Sequence, residues 1–254
     1  MPAPSRTLRV EGIILRHMDY GEADRILTLY TREEGKLRAI AKGVRKVTSR
    51  KAGHLEPFTR SSLLLARGHD LWIVTQAEAL DVHIQISSDL TRFAYASYVV
   101  ELLDRFTYEE GENWRLYQLL TTTLERIATL ENPYLAVRYY DIRLLDLLGF
   151  RPELHSCVSC EEKIEPRDQY FSAVQGGVVC PKCGLFVTPV VPVSMPTLKY
   201  LRHLQRSSWS DACRANPAPA IRQEMETLLQ NYFTHLLEHR LNTPRFLREV
   251  RDEW

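Results

Sequence analysis

The stretch RILTLYTREEGKLRAIAKGV, residues 25–44, decides the reading of the N-terminal part of the chain. Two runs rich in β-branched and aliphatic residues, 25–31 and 36–44, flank Glu33-Glu34-Gly35, and such an arrangement reads as a hairpin. Working outward, further short strands are expected at 8–15, 61–67 and 71–77. They are separated by turn signals at Tyr20-Gly21, Glu56-Pro57 and Gly68-His69-Asp70. Five short strands with one long loop predict a small barrel of the OB-fold type; pattern alone leaves an SH3-like barrel open. Tyr20, Tyr30, Phe58 and Trp72 are its aromatics. Most are expected in the interior, with Tyr20 the candidate for stacking on bases.

The same stretch runs on into a basic segment. From 36 to 51 the sequence is KLRAIAKGVRKVTSRK, with Lys36, Arg38, Lys42, Arg45, Lys46, Arg50 and Lys51 and no acidic residue. The run reads either as a solvated strand and loop or, from the absence of counter-charges together with Gly43, Thr48, Ser49 and Gly53, as a mobile cationic loop suited to an irregular polyanion. The net charge of +1, from 33 Lys+Arg against 32 Asp+Glu, carries no such information.

After Ser88 the hydrophobic period becomes helical, at 89–106, 114–130 and 133–148, the last capped by Asn132, opened by Pro133 and stopped by Gly149. The third helix is apolar nearly all round yet carries Arg138 and Arg143. A buried guanidinium needs an anion, supplied either by Asp141 and Asp146 or by an acidic ligand. Further helices are expected from Pro192 and over 219–240.

Between these helices stands C-x2-C-x19-C-x2-C: Cys157, Cys160, Cys180 and Cys183. Two knuckles brought together by a hairpin, read as a strand over 169–174, a turn at Gly176-Gly177 and a return at Val178-Val179, predict one structural Zn2+ with four thiolate ligands. A closed sphere leaves no position for substrate. Two disulfides or a redox couple are the competing readings, and Pro181 with the hairpin context favours the metal. Gly184 is expected to permit the tight turn behind Cys183. His155 reads as an edge residue, and Cys213 as an ordinary small apolar one.

The chain of 254 residues, 44% of them hydrophobic, thus reads as a multidomain α+β protein. Expected domains are the OB-fold at 1–80, a helical domain at 81–152 and 194–254, and the zinc insert at 153–193. Free thiols and the absence of a long apolar run predict a cytoplasmic protein, not a membrane one. No paired His/Glu metal spacing, GxSxG segment or phosphate-binding glycine loop points to an enzyme.

The residues also resemble a family. YGEADRILTLYTREEGKLRAIAKGVRKVTSRKAGHLEPF, 20–58, is similar to the N-terminal signature of the bacterial recombination mediator family RecO. It carries the GExD segment at Gly21, Glu22 and Asp24, the AKGxRK segment at 41–46 and the LxPF segment at 55–58. The similarity continues through LLxxLGF at 144–150, the four cysteines and Arg245-Phe246-Leu247, where LNTPRFL departs from the commoner LKSxxFL form. The resemblance implies an N-terminal OB-fold, a helical domain and a scaffolding zinc insert. It implies a non-enzymatic role in DNA repair and recombination after DNA damage: binding single- and double-stranded DNA, annealing complementary strands, and loading RecA on gaps coated by single-strand-binding protein (SSB), with RecR and often RecF. It further implies a nucleoid-associated location and, at Arg138 with Arg143 beside it, a contact to the acidic tail of SSB. A zinc-ribbon protein that binds RNA or acts in transcription is the rival reading.

Overall fold

A computed structural model describes residues 7–109, 111–239 and 241–252. Five strands, β1 (Thr7–Tyr20), β2 (Asp24–Thr31), β3 (Gly35–Ala41), β4 (Arg60–Ala66) and β5 (Trp72–Asp81), close a barrel in the order β1-β2-β3-β5-β4. All pairings are antiparallel except β3 with β5, where Ala39 and Ile40 lie beside Trp72 and Ile73. This is the OB-like barrel expected from the pattern. Its interior is filled by one alternate set, including Val10, Ile14, Leu27, Leu29, Leu37, Ala39, Leu63, Leu65 and Val74. Val44 and Leu55, from the long β3–β4 connection, join the same core, so that connection is pinned at both ends rather than free throughout.

Three helices follow: α1 (Ile84–Ser88), α2 (Leu90–Phe106) and α3 (Trp114–Thr129). Asp89 caps α2 by accepting from the Arg92 N–H, and Asn113 caps α3 by accepting from that of Leu116. They pack with the barrel as one compact unit. Joining contacts are an edge-to-face pair of Phe58 and Phe93 at 5.3 Å, Tyr117 Oη donating to Glu11 Oε1 at 2.7 Å, and Arg16 to Asp104 at 2.9 Å.

A second compact unit spans Asn132–Arg245. It contains α4 (Tyr134–Leu147), a three-stranded sheet of β6 (Gln169–Ser172), β7 (Gly177–Val179) and β8 (Val191–Val193) in the order β7-β6-β8, then α5 (Met195–Arg206), α6 (Trp209–Ala212) and α7 (Pro219–Leu237). The helix α8 (Thr243–Asp252) ends the described chain. The break between the units falls between α3 and α4, within the stretch 81–152 that helical periodicity groups together. The helix expected from Pro192 begins at Met195, because 191–193 pair with β6 and Ser194 caps α5 by accepting from the Thr197 N–H. No helix among the described residues is long and apolar enough to cross a membrane.

Candidate nucleic-acid interface and metal centre

The β1–β2 hairpin turns through Gly21, whose φ of +56° lies where glycine is favoured. The β3–β4 connection is tied against it. The Arg45 N–H donates to the Ala23 carbonyl at 2.9 Å, the Gly43 N–H to Asp24 at 2.7 Å, and the Arg45 guanidinium lies 3.3 Å from Asp19 and 3.4 Å from the Gly21 carbonyl. Two turns of the barrel thus form one surface.

Counter-charges absent from the basic run itself arrive from elsewhere in the chain and sort it. Lys36 is bound to Asp104 at 2.6 Å, Lys51 donates to the Val74 carbonyl at 3.0 Å, Arg45 is held by Asp19, and Arg38 lies 3.9 Å from Glu109. Lys42, Lys46 and Arg50 remain exposed, with no ion pair among the described residues. Beside them stand Tyr20, 54% exposed, and two residues that sequence reasoning passed over: Met18, 51% exposed, and Val47, fully exposed. The signal for Met18 was its outward register near the hairpin end, opposite Ile26. Tyr30 and Phe58 are buried, which removes both from any stacking surface, whereas Trp72 is half-buried against the barrel core.

In the second unit the four cysteine sulfurs lie within 4.8 Å of one another, all in reduced form. Cys160 and Cys180 are 3.9 Å apart at Sγ, and a tetrahedral ion with thiolate bonds of about 2.3 Å sets neighbouring sulfurs roughly 3.8 Å apart. That separation excludes a disulfide for this pair. The set fits a four-thiolate metal ion of zinc's coordination class. Burial alone would raise the Cys157 thiol, but N–H groups of Cys180, Cys160 and Ser159 aimed at its sulfur outweigh this and pull it down to about 6. Hydrogen bonds from the Cys180 and Cys160 sulfurs, together with desolvation, push Cys183 up to about 12. A divalent ion held at the centre would let all four thiols ionise.

Two details of this module differ from expectation. Gly177 belongs to β7, and the turn precedes it; a Cβ at Gly177 would stand 2.6 Å from the Glu153 carbonyl. Gly184 is required by packing, since a Cβ there would meet the Tyr170 ring at 2.4 Å. His155 is exposed and outside the sulfur cluster, and Cys213 is exposed rather than buried.

Arg138 is 1% exposed and lies 3.3 Å from Asp141, itself fully buried on the next turn of α4. It faces the interior, its guanidinium 5.6 Å from the Tyr134 ring centre. Arg143 stacks over Tyr139 at 4.8 Å and donates to the Gln205 carbonyl at 3.1 Å and to that of Ser207. Both arginines are bound within the unit.

A closed five-stranded OB-like barrel with a cationic turn, followed by helices and a four-cysteine cluster that could hold a metal ion, defines a protein of the OB-barrel class. Two family descriptions cover it: Recombination protein O N terminal matches residues 6–83 and Recombination protein O C terminal matches 87–245. The DNA repair protein RecO of Roseiflexus sp. strain RS-1 is 40% identical over 246 residues, 97% of this chain and 87% of its own length. That of Dehalococcoides mccartyi strain BAV1 is 38% identical over 231 residues, 91% and 90% of the two chains, and that of Pelotomaculum thermopropionicum 37% over 239, 94% and 93%. The chain belongs to the RecO family of DNA repair proteins.

Proposed function

We propose that this chain is a DNA-binding recombination mediator that holds single strands at the joined β1–β2 and β3–β4 turns. Lys42, Lys46 and Arg50 would meet phosphates there and Tyr20 a base. The observation that carries the reading is the tie between the two turns, which anchors the connection bearing exposed Lys42, Lys46 and Arg50, without an ion pair among the described residues, against the hairpin that bears the exposed Tyr20 ring. Double strands are bound by the same phosphates-first chemistry. Annealing of complementary strands follows from a cationic surface that screens their repulsion. Partners proposed with it are RecR, RecF, the SSB tail and, indirectly, RecA. The SSB contact is proposed without a direct role for the buried Arg138. The metal is proposed to be one Zn2+ held by Cys157, Cys160, Cys180 and Cys183, a scaffold for the β6–β8 module, and the protein to work in the cytoplasm at the nucleoid. An RNA-binding role has no observation in its favour.

The test is charge reversal at Lys42, Lys46 and Arg50 together, with oligo-dT binding measured across salt. Affinity should drop alike for all sequences and the log–log salt slope should shrink by about 2, roughly 0.7 per phosphate. Tyr20→Ala should weaken binding by about 1–3 kcal/mol with the slope unchanged. A folded triple variant with wild-type affinity and slope would place the DNA path elsewhere.

A further inference from the structure

No Asp or Glu stands between Asp168 and Asp211, and within that stretch the helix α5 carries Lys199, Arg202, His203 and Arg206. Its buried stripe is Thr197, Leu198, Leu201, Leu204 and Gln205, which leaves Pro196, Lys199, Tyr200, His203 and Arg206 on the other side at helical spacing. Across from that side stands the turn that follows α6. Between the two lies a cleft of about 530 Å³, walled by Pro196 and Tyr200 from α5 and by Ala215 from the turn, with Lys199 on the first wall and Arg214 on the second.

The two walls are tied together. The His203 ring lies 3.3 Å from the Asp211 carbonyl through Nε2, and the Tyr200 hydroxyl donates to the Asn216 carbonyl at 3.3 Å, so the ring is held with its polar end satisfied. The cations are not engaged in the same way. Lys199, Arg206 and Arg214 are exposed, with no ion pair among the described residues. The acid that reaches α5 from α7, Glu224, is bound to Ser194 and Thr197 at the helix start, and Asp211 in the cleft lining accepts from the Ser208 hydroxyl at 2.8 Å.

An aromatic wall flanked by exposed cations is the combination that holds single-stranded nucleic acid, the ring taking a base and the cations its phosphates. A duplex keeps its bases stacked and paired, out of reach of such a cleft. We propose that the α5–α6 cleft is a second single-strand site, taking one base against Tyr200 with the flanking phosphates on Lys199 and Arg214. The inference rests on the DNA-binding reading above and deepens it. Annealing brings two strands together, and a protein with one cationic surface has to share it between them; here the barrel turns take one strand and the cleft takes the other. With two cations against the three at the turns, the cleft is the weaker site and fills second.

The experiment titrates the protein with short oligo-dT and counts bound equivalents across salt. Wild type should bind two, the second more weakly. Lys199→Gln with Arg214→Gln should weaken the second equivalent and lower its salt slope by about 1.4, roughly 0.7 for each phosphate. Tyr200→Leu should weaken it about 5- to 150-fold, the worth of one base–aromatic stack, with the slope unchanged. In both variants the first equivalent should keep its affinity and slope, and strand annealing should slow. Photocrosslinking of wild type with an iodouracil-bearing strand reads the site without any substitution and should mark Tyr200. A single equivalent in the wild type, a second equivalent unchanged in both folded variants, crosslinks that never reach 195–215, or an acidic peptide that fills the cleft where oligo-dT does not, overturns the second site and leaves the turns intact. Absence of any bound equivalent in the wild type overturns the DNA-binding reading and the cleft with it.

Discussion

Replacement of Arg138 separates two roles for the same side chain. Its guanidinium is 1% exposed and its partner Asp141 is fully buried, 3.3 Å away and three residues along α4. Arg138→Ala removes the buried cation from its pair with Asp141 inside the unit. Breaking a buried pair from one side costs about 3–5 kcal/mol. The unit Asn132–Arg245 has the size at which 1 kcal/mol moves a melting midpoint by about 4 °C, so a fall of roughly 12–20 °C is expected. The paired replacement Arg138→Met with Asp141→Leu should recover most of that loss, because two apolar side chains of similar volume need no partner. Calorimetric melts of wild type, single and double variants measure this directly, and SSB-tail capture runs beside them at a temperature where all are folded. A single variant that melts within about 2 °C of wild type yet loses tail capture would refute the burial argument and make Arg138 a ligand contact.

Two further outcomes follow from the buried groups. Serine at any one of Cys157, Cys160, Cys180 or Cys183 should abolish stoichiometric zinc and lower the melt of the second unit, with oligo-dT affinity retained at low temperature. Metal analysis showing no ion in the wild type, or chelation that removes DNA binding with the fold intact, would contradict the scaffold role. His83, 6% exposed, is held below its ordinary value by burial, which outweighs the attraction of Asp81; Arg60 adds to the depression and Glu125 opposes it. The unfolded chain therefore binds a proton that the folded chain resists, and this stability is present above about pH 6.5 and lost as pH falls through the depressed folded value. His83→Asn, which tolerates the φ of +44° at this position, should flatten that fall, and urea midpoints at pH 7.5 and 5.5 that drop equally in both proteins would exclude it.

The barrel was legible because its strands alternate: Leu27 and Leu29 face inward, and the turn glycines at 21 and 35 fall where φ is positive. The helices were legible from their hydrophobic period and, for α4, from Gly149 at its end, and the four-cysteine cluster from spacing alone. Less legible was everything decided by a distant residue. Val44 reads as the end of the third strand and Leu55 as a loop residue, yet both lie in the β3–β4 connection, plug the barrel and pin that connection at both ends. Gly184 reads as a turn residue, and only the Tyr170 ring beside it shows that its missing side chain is a packing requirement. The strand β8 was missed because Pro192 resembles a helix opener, and pairing with β6 overrides that local preference.

The basic run shows the same limit with a consequence for function. Read locally, seven cations without an acid suggest a salt slope near 5 for single strands, at about 0.7 each, and a loss of roughly 900-fold in affinity between 50 and 200 mM salt. In the fold, Asp104, Asp19, Glu109 and the Val74 carbonyl engage four of them, leaving Lys42, Lys46 and Arg50. Three phosphates give a slope near 2 and a loss of only about 20-fold over the same range. Weak, salt-tolerant contact suits a protein proposed to hand a strand on, because a surface neutralising seven phosphates would retain what it is meant to pass. Asp104, Asp19 and Glu109, all from outside the run, thus decide how many of its cations are left for phosphate.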